Sequence, residues 1–126
     1  MKEAKDRELT GKGEMDYDYS NDILFFKIRN REYSHSIEFE NLVIDIDKEE
    51  FITGIQIFDA SKFLNISKAN LKINKWQFKA RITPTSIEIR LFCEVNIRNK
   101  IREFSPIIVQ QNTAGLPAPT TVEITA

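Results

Sequence analysis

The chain has 126 residues, of which 41% are hydrophobic and 29% charged, with a net charge of −1, as in an ordinary soluble globular domain. No apolar run approaches the roughly 20 residues that span a bilayer, and segment 1–14 lacks the apolar core of a signal peptide. A single cysteine, Cys93, excludes an internal disulfide and is typical of a reducing compartment, so we expect a cytoplasmic protein with no membrane partner.

The small net charge hides an asymmetry between two segments. Residues 1–60 hold 8 Lys/Arg and 15 Asp/Glu, a balance of −7, whereas residues 61–104 hold 10 and 3, a balance of +7. The basic segment could bind an anionic partner. The opposite charges of the two segments could also attract each other, within one molecule or between copies. A surface that is merely solvated explains the same numbers more simply.

The first half of the chain predicts antiparallel strands. Residues 1–14 are polar and charged, so we expect this segment to be flexible. The turn signal Ser20-Asn21-Asp22 separates two β-rich runs and predicts a hairpin. Gly54 interrupts a later strand and predicts a bulge or a close backbone approach. The strands predicted here cover residues 15–19, 23–29, 36–40, 42–47 and 51–58.

The pattern changes at Asp59, which ends a β-rich run and is a good residue to cap a helix, because its carboxylate can accept hydrogen bonds from the first-turn amides. A short helix is therefore predicted over residues 59–64, with Ser61 in its first turn. Ser67 is a second plausible cap, and residues 67–73 are predicted to form a further helical turn or two with Leu71 inward.

The last third carries the clearest strand pattern. Residues 76–83, 87–97 and 101–110 alternate apolar and polar side chains and are separated by turns, the first of them at Pro84. Pro106 cannot donate a ladder hydrogen bond, so the last of these strands is predicted to be an edge strand or to break there. Residues 111–126 are expected to form a polar tail whose Thr/Val/Ile run is a candidate extra strand.

These elements predict an α+β fold dominated by an antiparallel sheet of about seven to eight strands in hairpins, with one or two short helices around residues 59–73. The domain is expected to cover residues 15–110, between the flexible segment 1–14 and the tail 111–126. Its halves are residues 15–64 and 65–110.

Four short motifs in residues 15–64 resemble a small prokaryotic family known as domain of unknown function 2283. Members typically have a Tyr-Asp segment, an Asp-x-Leu-aromatic strand, an apolar strand ending in Asp-x-Asp and a Gly-Ile-x-Ile-Leu-Asp-Ala-Ser-Lys segment. The counterparts here are Tyr17-Asp18, Asp22-Ile23-Leu24-Phe25, residues 43–47 and residues 54–62, which make Gly54, Asp59 and Ser61 structural motif residues. The resemblance implies a small, mostly antiparallel β domain with a short helix, and it implies no established activity.

Three candidates for chemistry have simpler explanations. Asp45 and Asp47 lie two residues apart on a strand, so both carboxylates could hold a divalent cation, although a strand leading into a polar turn explains them without any chemistry. His35 is the only histidine, and nothing places a nucleophile beside it. Cys93 is on the apolar side of its strand and is expected to be a core residue. No cofactor or metal is assigned from the sequence.

The outward face of the final hairpins is the one positive candidate for a binding surface. Basic groups can neutralise phosphates, and an exposed aromatic ring such as Phe92 can stack on a base. Glu88 and Glu94 on the same face can instead pair with the cations across strands. The residues predicted to contact nucleic acid or a protein partner are Lys79, Arg81, Arg90, Phe92, Arg98, Lys100 and Arg102.

Three hypotheses of function follow. The first is a non-enzymatic interaction or oligomerisation module that forms a dimer or larger assembly, because edge strands can pair with another chain. The second is an accessory protein that binds nucleic acid through the basic hairpins. The third, and the one with least support, is a metal-dependent enzyme that uses Asp45 and Asp47.

Overall fold

The computed structural model of the chain describes residues 6–71 and 73–125. Alternation of apolar and polar residues gives strands with one buried and one wet face. The elements in chain order are β1 (Arg7–Asp18), β2 (Ile23–Ile28), β3 (Tyr33–Phe39), β4 (Leu42–Asp47), β5 (Ile52–Phe58), α1 (Ala60–Leu64), a 3₁₀ turn (Lys68–Asn70), β6 (Ile73–Ile82), β7 (Ser86–Ile97), β8 (Lys100–Phe104), β9 (Ile107–Gln111) and β10 (Thr120–Thr125).

The strands form one ten-stranded sheet in the order β3-β4-β5-β2-β1-β10-β6-β7-β8. β9 also pairs with β7, at residues 86–90, whereas β8 pairs with residues 93–97 of the same strand. β1 is shared between two half-sheets. Its residues 7–12 run parallel to β10, and its residues 13–18 run antiparallel to β2. The other strand pairs of the described residues are antiparallel. We call β3-β4-β5-β2-β1 the N-terminal half-sheet and β1-β10-β6-β7-β8/β9 the C-terminal half-sheet.

The core is a single cluster to which both half-sheets contribute their inward faces. Phe26 on β2 meets Trp76 on β6 edge to face, with the ring centroids 4.8 Å apart. A sheet with so little helix to cover it must bury its apolar face against itself, which brings the half-sheets together over this cluster. Cys93 is buried in the cluster, as predicted from its place on β7.

Several local predictions are confirmed. The β1–β2 hairpin, the buried face of β2 and the inward Leu71 are present as expected. Arg98 and Asn99 both have positive φ in the β7–β8 turn, the conformation that tight hairpins need. The run 101–110 is broken next to Pro106 into β8 and β9.

The number of strands is higher than predicted, ten instead of seven or eight, in a mixed and mostly antiparallel sheet with very little helix. The break beside Pro106 accounts for one extra strand, and β10 accounts for the other. Of residues 67–73, predicted to be helical, Lys68–Asn70 form the 3₁₀ turn, Ile73 begins β6, and residue 72 lies outside the described part.

Both ends of the described chain differ from the prediction. The polar composition of residues 7–13 predicts flexibility, but they form the first half of β1; residues 1–5 lie outside the described part. The expected polar tail contains β10, which lies between β1 and β6. The pairing of β1 with β10 connects positions more than 100 residues apart, for example Arg7 with Thr120, so no local pattern reveals it.

Gly13 lies where β1 passes from one half-sheet to the other, and the space beside its Cα is full. A Cβ atom there would lie 2.6 Å from Ile124 Cγ2, 2.6 Å from the Lys27 carbonyl oxygen and 2.7 Å from Trp76 Cη2. The carbonyl belongs to the paired strand and cannot move aside as a flexible side chain would. Glycine is therefore required at this position by close packing.

Replacement Gly13→Ala should lower the free energy of unfolding by about 3 kcal/mol, because the added methyl group overpacks the junction between the half-sheets. Urea denaturation followed by far-UV circular dichroism measures the loss. The control is Gly115→Ala, where φ is +66° and no atom lies within 4 Å of the added Cβ, so only backbone strain of about 1 kcal/mol is expected. Equal losses in the two variants would contradict this account of Gly13.

Candidate functional site

The outer face of the C-terminal half-sheet carries three of the predicted basic residues, Lys79, Arg81 and Arg90. Lys79 lies directly across from Arg90 on the neighbouring strand. Lys79 Nζ is 3.3 Å from a Glu123 carboxylate oxygen. Arg81 Nη1 is 2.8 Å from Asp6 Oδ2 and donates to Thr121 Oγ1. Two of the three cations on this face are thus already paired with carboxylates.

The remaining predicted basic residues do not share that face. Arg98 is in the β7–β8 turn, and Lys100 begins β8. Arg102 lies opposite Val95, whose side chain points into the core. Residues directly opposite each other share a face, so Arg102 is on the inner face of the sheet, where it extends past the edge of the core. The predicted basic stripe is therefore split between the two sides of the sheet and a turn.

Exposed apolar side chains are a more distinctive feature of the same outer face. Phe92 on β7 is 40% exposed, Ile107 on β9 is 53% exposed and Val109 on β9 is 59% exposed. Ile107 lies opposite Arg90, and Val109 lies opposite Glu88, so both share the face of Phe92. We call these three residues the apolar patch. Scattered exposed apolar residues are normal, but three neighbours on one face next to an open strand edge are typical of a contact surface.

A groove of about 600 Å³ lies beside Phe92 between β6, β7 and the end of β8. Glu94 and Glu103 face each other across β7 and β8, and Lys75 Nζ is 3.9 Å from a Glu94 oxygen. Like charges directly opposite each other disfavour the pairing of two strands, and one distant amine compensates them only in part. The groove is lined by Lys75, Trp76, Gln77, Phe92, Cys93, Glu94, Glu103, Phe104 and Ser105.

The helix cap predicted at Asp59 is supplied instead by Asp22. Asp59 has φ 53° and makes no side-chain cap hydrogen bond. The Ser61 amide donates to Asp22 Oδ1 at 3.0 Å, and the Ser61 hydroxyl donates to Oδ2 at 2.6 Å. Tyr17 donates its hydroxyl to Oδ1 at 2.7 Å. The buried Asp22 carboxylate, in the β1–β2 turn, thereby fastens α1 to the hairpin.

This cluster changes the acid–base properties of its members. Burial opposes ionisation of Asp22, but hydrogen bonds from Ser61 and Tyr17 outweigh it and lower the Asp22 pKa from its ordinary 3.8. Burial, then the hydrogen bond to Asp22, raises the pKa of Tyr17 well above its ordinary 10.0. The tyrosine therefore stays protonated and the aspartate ionised at neutral pH, which is the pairing that the hydrogen bonds need.

Gly54 on β5 behaves as predicted. The register between β4 and β5 shifts next to it, which is a bulge, and a Cβ there would lie 2.8 Å from the Phe26 carbonyl oxygen. Gly54 and Ser61 are structural residues that the sequence motifs indicate. The role of Asp22 as the cap has no such local signal, although Asp22 belongs to the predicted turn.

The two carboxylates proposed for a metal are held by different partners. Asp45 accepts from the Ser36 hydroxyl at 2.8 Å. Asp47 is buried, lies 2.7 Å from Arg31 Nη2 and accepts from the amides of Glu49 and Phe51. In the part of the chain that the structure describes, no group of three or more His, Cys, Asp or Glu side chains is arranged to hold a metal.

His35 is exposed on β3, with Nδ1 3.0 Å from Ser34 Oγ. Burial raises the pKa of the Cys93 thiol to about 11, which disfavours a reactive thiolate. Over residues 6–71 and 73–125, no helix is both long enough and apolar enough to cross a membrane.

Fold and surface together define a single mixed, mostly antiparallel sheet protein with a capped strand-to-helix junction. Residues 14–61 match the family model described as "Protein of unknown function (DUF2283)". The chain is 36% identical over 107 residues to a protein of Methanosarcina mazei named "Putative hypoxanthine phosphoribosyltransferase", covering 83% of this chain and 86% of that protein.

It is also 30% identical over 107 residues to an uncharacterised protein of Methanocaldococcus jannaschii, covering 83% of this chain and 92% of that protein. No solved structure matches the chain significantly. The chain belongs to one family with these archaeal proteins, and its residues 14–61 are a DUF2283 segment. The resemblance noted from the four motifs is therefore confirmed, for that segment.

Replacement Asp22→Asn should lower the free energy of unfolding by about 2 kcal/mol, because a buried charged acceptor of several hydrogen bonds is lost. Asp59→Asn is the matched control and should cost less than about 0.5 kcal/mol.

Because the folded-state pKa of Asp22 is depressed, its contribution to stability is present above about pH 4 and is lost as the pH falls through the folded value. Chemical denaturation from pH 7 to pH 2 should show the wild-type advantage over Asp22→Asn shrinking in acid. A larger loss in Asp59→Asn than in Asp22→Asn would overturn this assignment.

Proposed function

We propose that the protein is a non-enzymatic module that associates with a second copy of itself through the C-terminal half-sheet. The observation that carries this proposal is the apolar patch of Phe92, Ile107 and Val109, which lies beside the open edge of β9. Burying exposed apolar area stabilises an interface by about 25 cal/mol per Å² before the entropy of association is subtracted.

The charge asymmetry gives less support to self-association than the sequence suggested. The Arg81–Asp6 ion pair already joins the basic and acidic segments within one molecule. Attraction between the segments therefore contributes to the fold of a single chain. The apolar patch is the stronger reason for contact between copies.

Binding of nucleic acid is a second candidate. Among the described residues, Arg90, Arg98, Lys100 and Arg102 make no ion pair, and Phe92 follows Arg90 on the same face. These are groups that can contact phosphates and stack on a base. The cations are divided between the two sides of the sheet. This weakens the candidate, because one single-stranded nucleic acid cannot contact all of them along one surface.

The name of the Methanosarcina mazei relative suggests a third candidate, transfer of a phosphoribosyl group to hypoxanthine. Such a transfer needs a site for a highly charged phosphate ester, commonly bound with a divalent cation. Asp45 and Asp47 are the carboxylates that the sequence offered for a cation, but they are engaged by Ser36 and Arg31. We expect no phosphoribosyl transfer to hypoxanthine above a no-protein control, and robust turnover in that assay would overturn the non-enzymatic proposal.

Size-exclusion chromatography with light scattering tests self-association. The expected wild-type peak has twice the chain mass of 14.7 kDa, persists at high salt and carries no excess absorbance at 260 nm. Val109→Lys should weaken the dimer about tenfold or more, because a charge enters the apolar contact. The introduced lysine lies opposite Glu88, so the fold of the single chain is kept.

The matched control is Phe63→Lys, which adds the same charge at a 39% exposed apolar residue on α1 and should leave the dimer unchanged. A wild-type monomer at all accessible concentrations would overturn the proposal. A peak that carries nucleic acid at low salt and loses it at high salt would favour the second candidate.

A further inference from the structure

We propose that two copies join by antiparallel pairing of β9 with β9 about a two-fold axis at Val109, which continues the C-terminal half-sheet from one molecule into the next. This inference rests on the proposed self-association and assigns it to one strand and one register. It commits to a second copy of this chain as the partner.

Among the described strands, β3, β8 and β9 each pair with one other strand only, and the residues of β3 and β8 oppose pairing with a further strand. β3 contains Glu38 and a register shift between Tyr33 and His35, and both features oppose pairing with another strand. β8 contains Lys100, Arg102 and Glu103, so a two-fold register centred on its middle residue brings Arg102 opposite its own copy. β9, of sequence IIVQQ, carries no charge.

The backbone of β9 is oriented for this pairing. The Leu91 amide donates to the Pro106 carbonyl, and the Asn112 amide donates to the Thr85 carbonyl. In an antiparallel ladder the hydrogen-bonded positions alternate, so the even-numbered residues of β9 face β7. The N–H and C=O groups of Ile107 and Val109 and the N–H of Gln111 consequently point away from the sheet, whereas the Gln111 carbonyl accepts from the Thr113 amide at 2.9 Å.

The register follows from those three residues. An axis at Val109 places Val109 opposite its own copy, where both of its backbone groups are paired. It also places Ile107 opposite Gln111 of the second copy, whose carbonyl oxygen has a second lone pair free to accept beside the bond from Thr113. A shift of two residues leaves some of these groups unpaired. The two apolar patches then lie side by side on one face of the joined sheet, where Val109 meets Val109 in a pair without charge.

Disulfide trapping tests the register. Residues of a hydrogen-bonded antiparallel pair have Cα atoms about 5.5 Å apart, within the range of about 4.4–6.8 Å that a disulfide spans. Val109→Cys should therefore form a linked dimer under mild oxidation, and non-reducing electrophoresis measures the yield. The native Cys93 is buried and does not compete.

Two single variants are the controls. In Gln111→Cys the new thiols of the two copies are offset by four residues, about 13 Å, so they should not link. Tyr33→Cys places an equally exposed thiol on β3 and should not link either. The double variant Ile107→Cys/Gln111→Cys places unlike positions opposite each other and should link again. We expect at least about tenfold more linked dimer from Val109→Cys and the double variant than from the controls.

Light scattering on the unmodified chain distinguishes failure of this inference from failure of the proposed function. A wild-type dimer in which Val109→Cys links no better than Gln111→Cys or Tyr33→Cys would overturn the β9 contact and leave self-association intact. A wild-type monomer at all accessible concentrations, with no linking of Val109→Cys, would overturn both. Selective linking of Val109→Cys and the double variant would establish the strand and the register together.

Discussion

The structure depends on the passage of β1 between the two half-sheets. Gly11 and Gly13 occupy inward positions on this strand, and a Cβ atom at either would collide with side chains of the core, Ile28 in one case and Ile124 and Trp76 in the other. The absence of side chains at these positions lets β2 and β10 both pair with β1 while their apolar residues close over it. Without that passage, the two apolar faces would not meet in one cluster.

The strands that form hairpins could be predicted because alternation and turn residues are local signals. β2, β4, β6 and β7 follow directly from such patterns, and the break beside Pro106 follows from proline chemistry. The first half of β1 could not be predicted in this way. Its inward positions include glycines, and glycines in a polar segment predict flexibility when the residues that pack against them are unknown.

The helix cap shows the same limit on a smaller scale. Asp59 has the right residue type in the right place, but its backbone is left-handed and its side chain makes no cap hydrogen bond. Asp22 takes the role from 39 residues away in sequence. For the surface, alternation placed Lys79, Arg81, Arg90 and Phe92 on one face, but the β7–β8 register, which decides the side of Arg102, is visible only in three dimensions. The importance of β9 also required the sheet order, since only that order shows which strands have open edges.

The position of β10 has a consequence for how the chain acquires its fold. β10 lies between β1 and β6, so these two strands become connected within the sheet only when Thr120–Thr125 has paired with both. During synthesis, the N-terminal hairpins and the β6–β7 hairpin emerge from the ribosome before the strand that connects them. Until β10 is available, the apolar faces of two incomplete groups of strands are exposed to each other and to other chains. The sheet can therefore be completed only after residue 125 has been translated, and its completion requires a long-range strand pairing, the kind of event that is slow and open to misassembly.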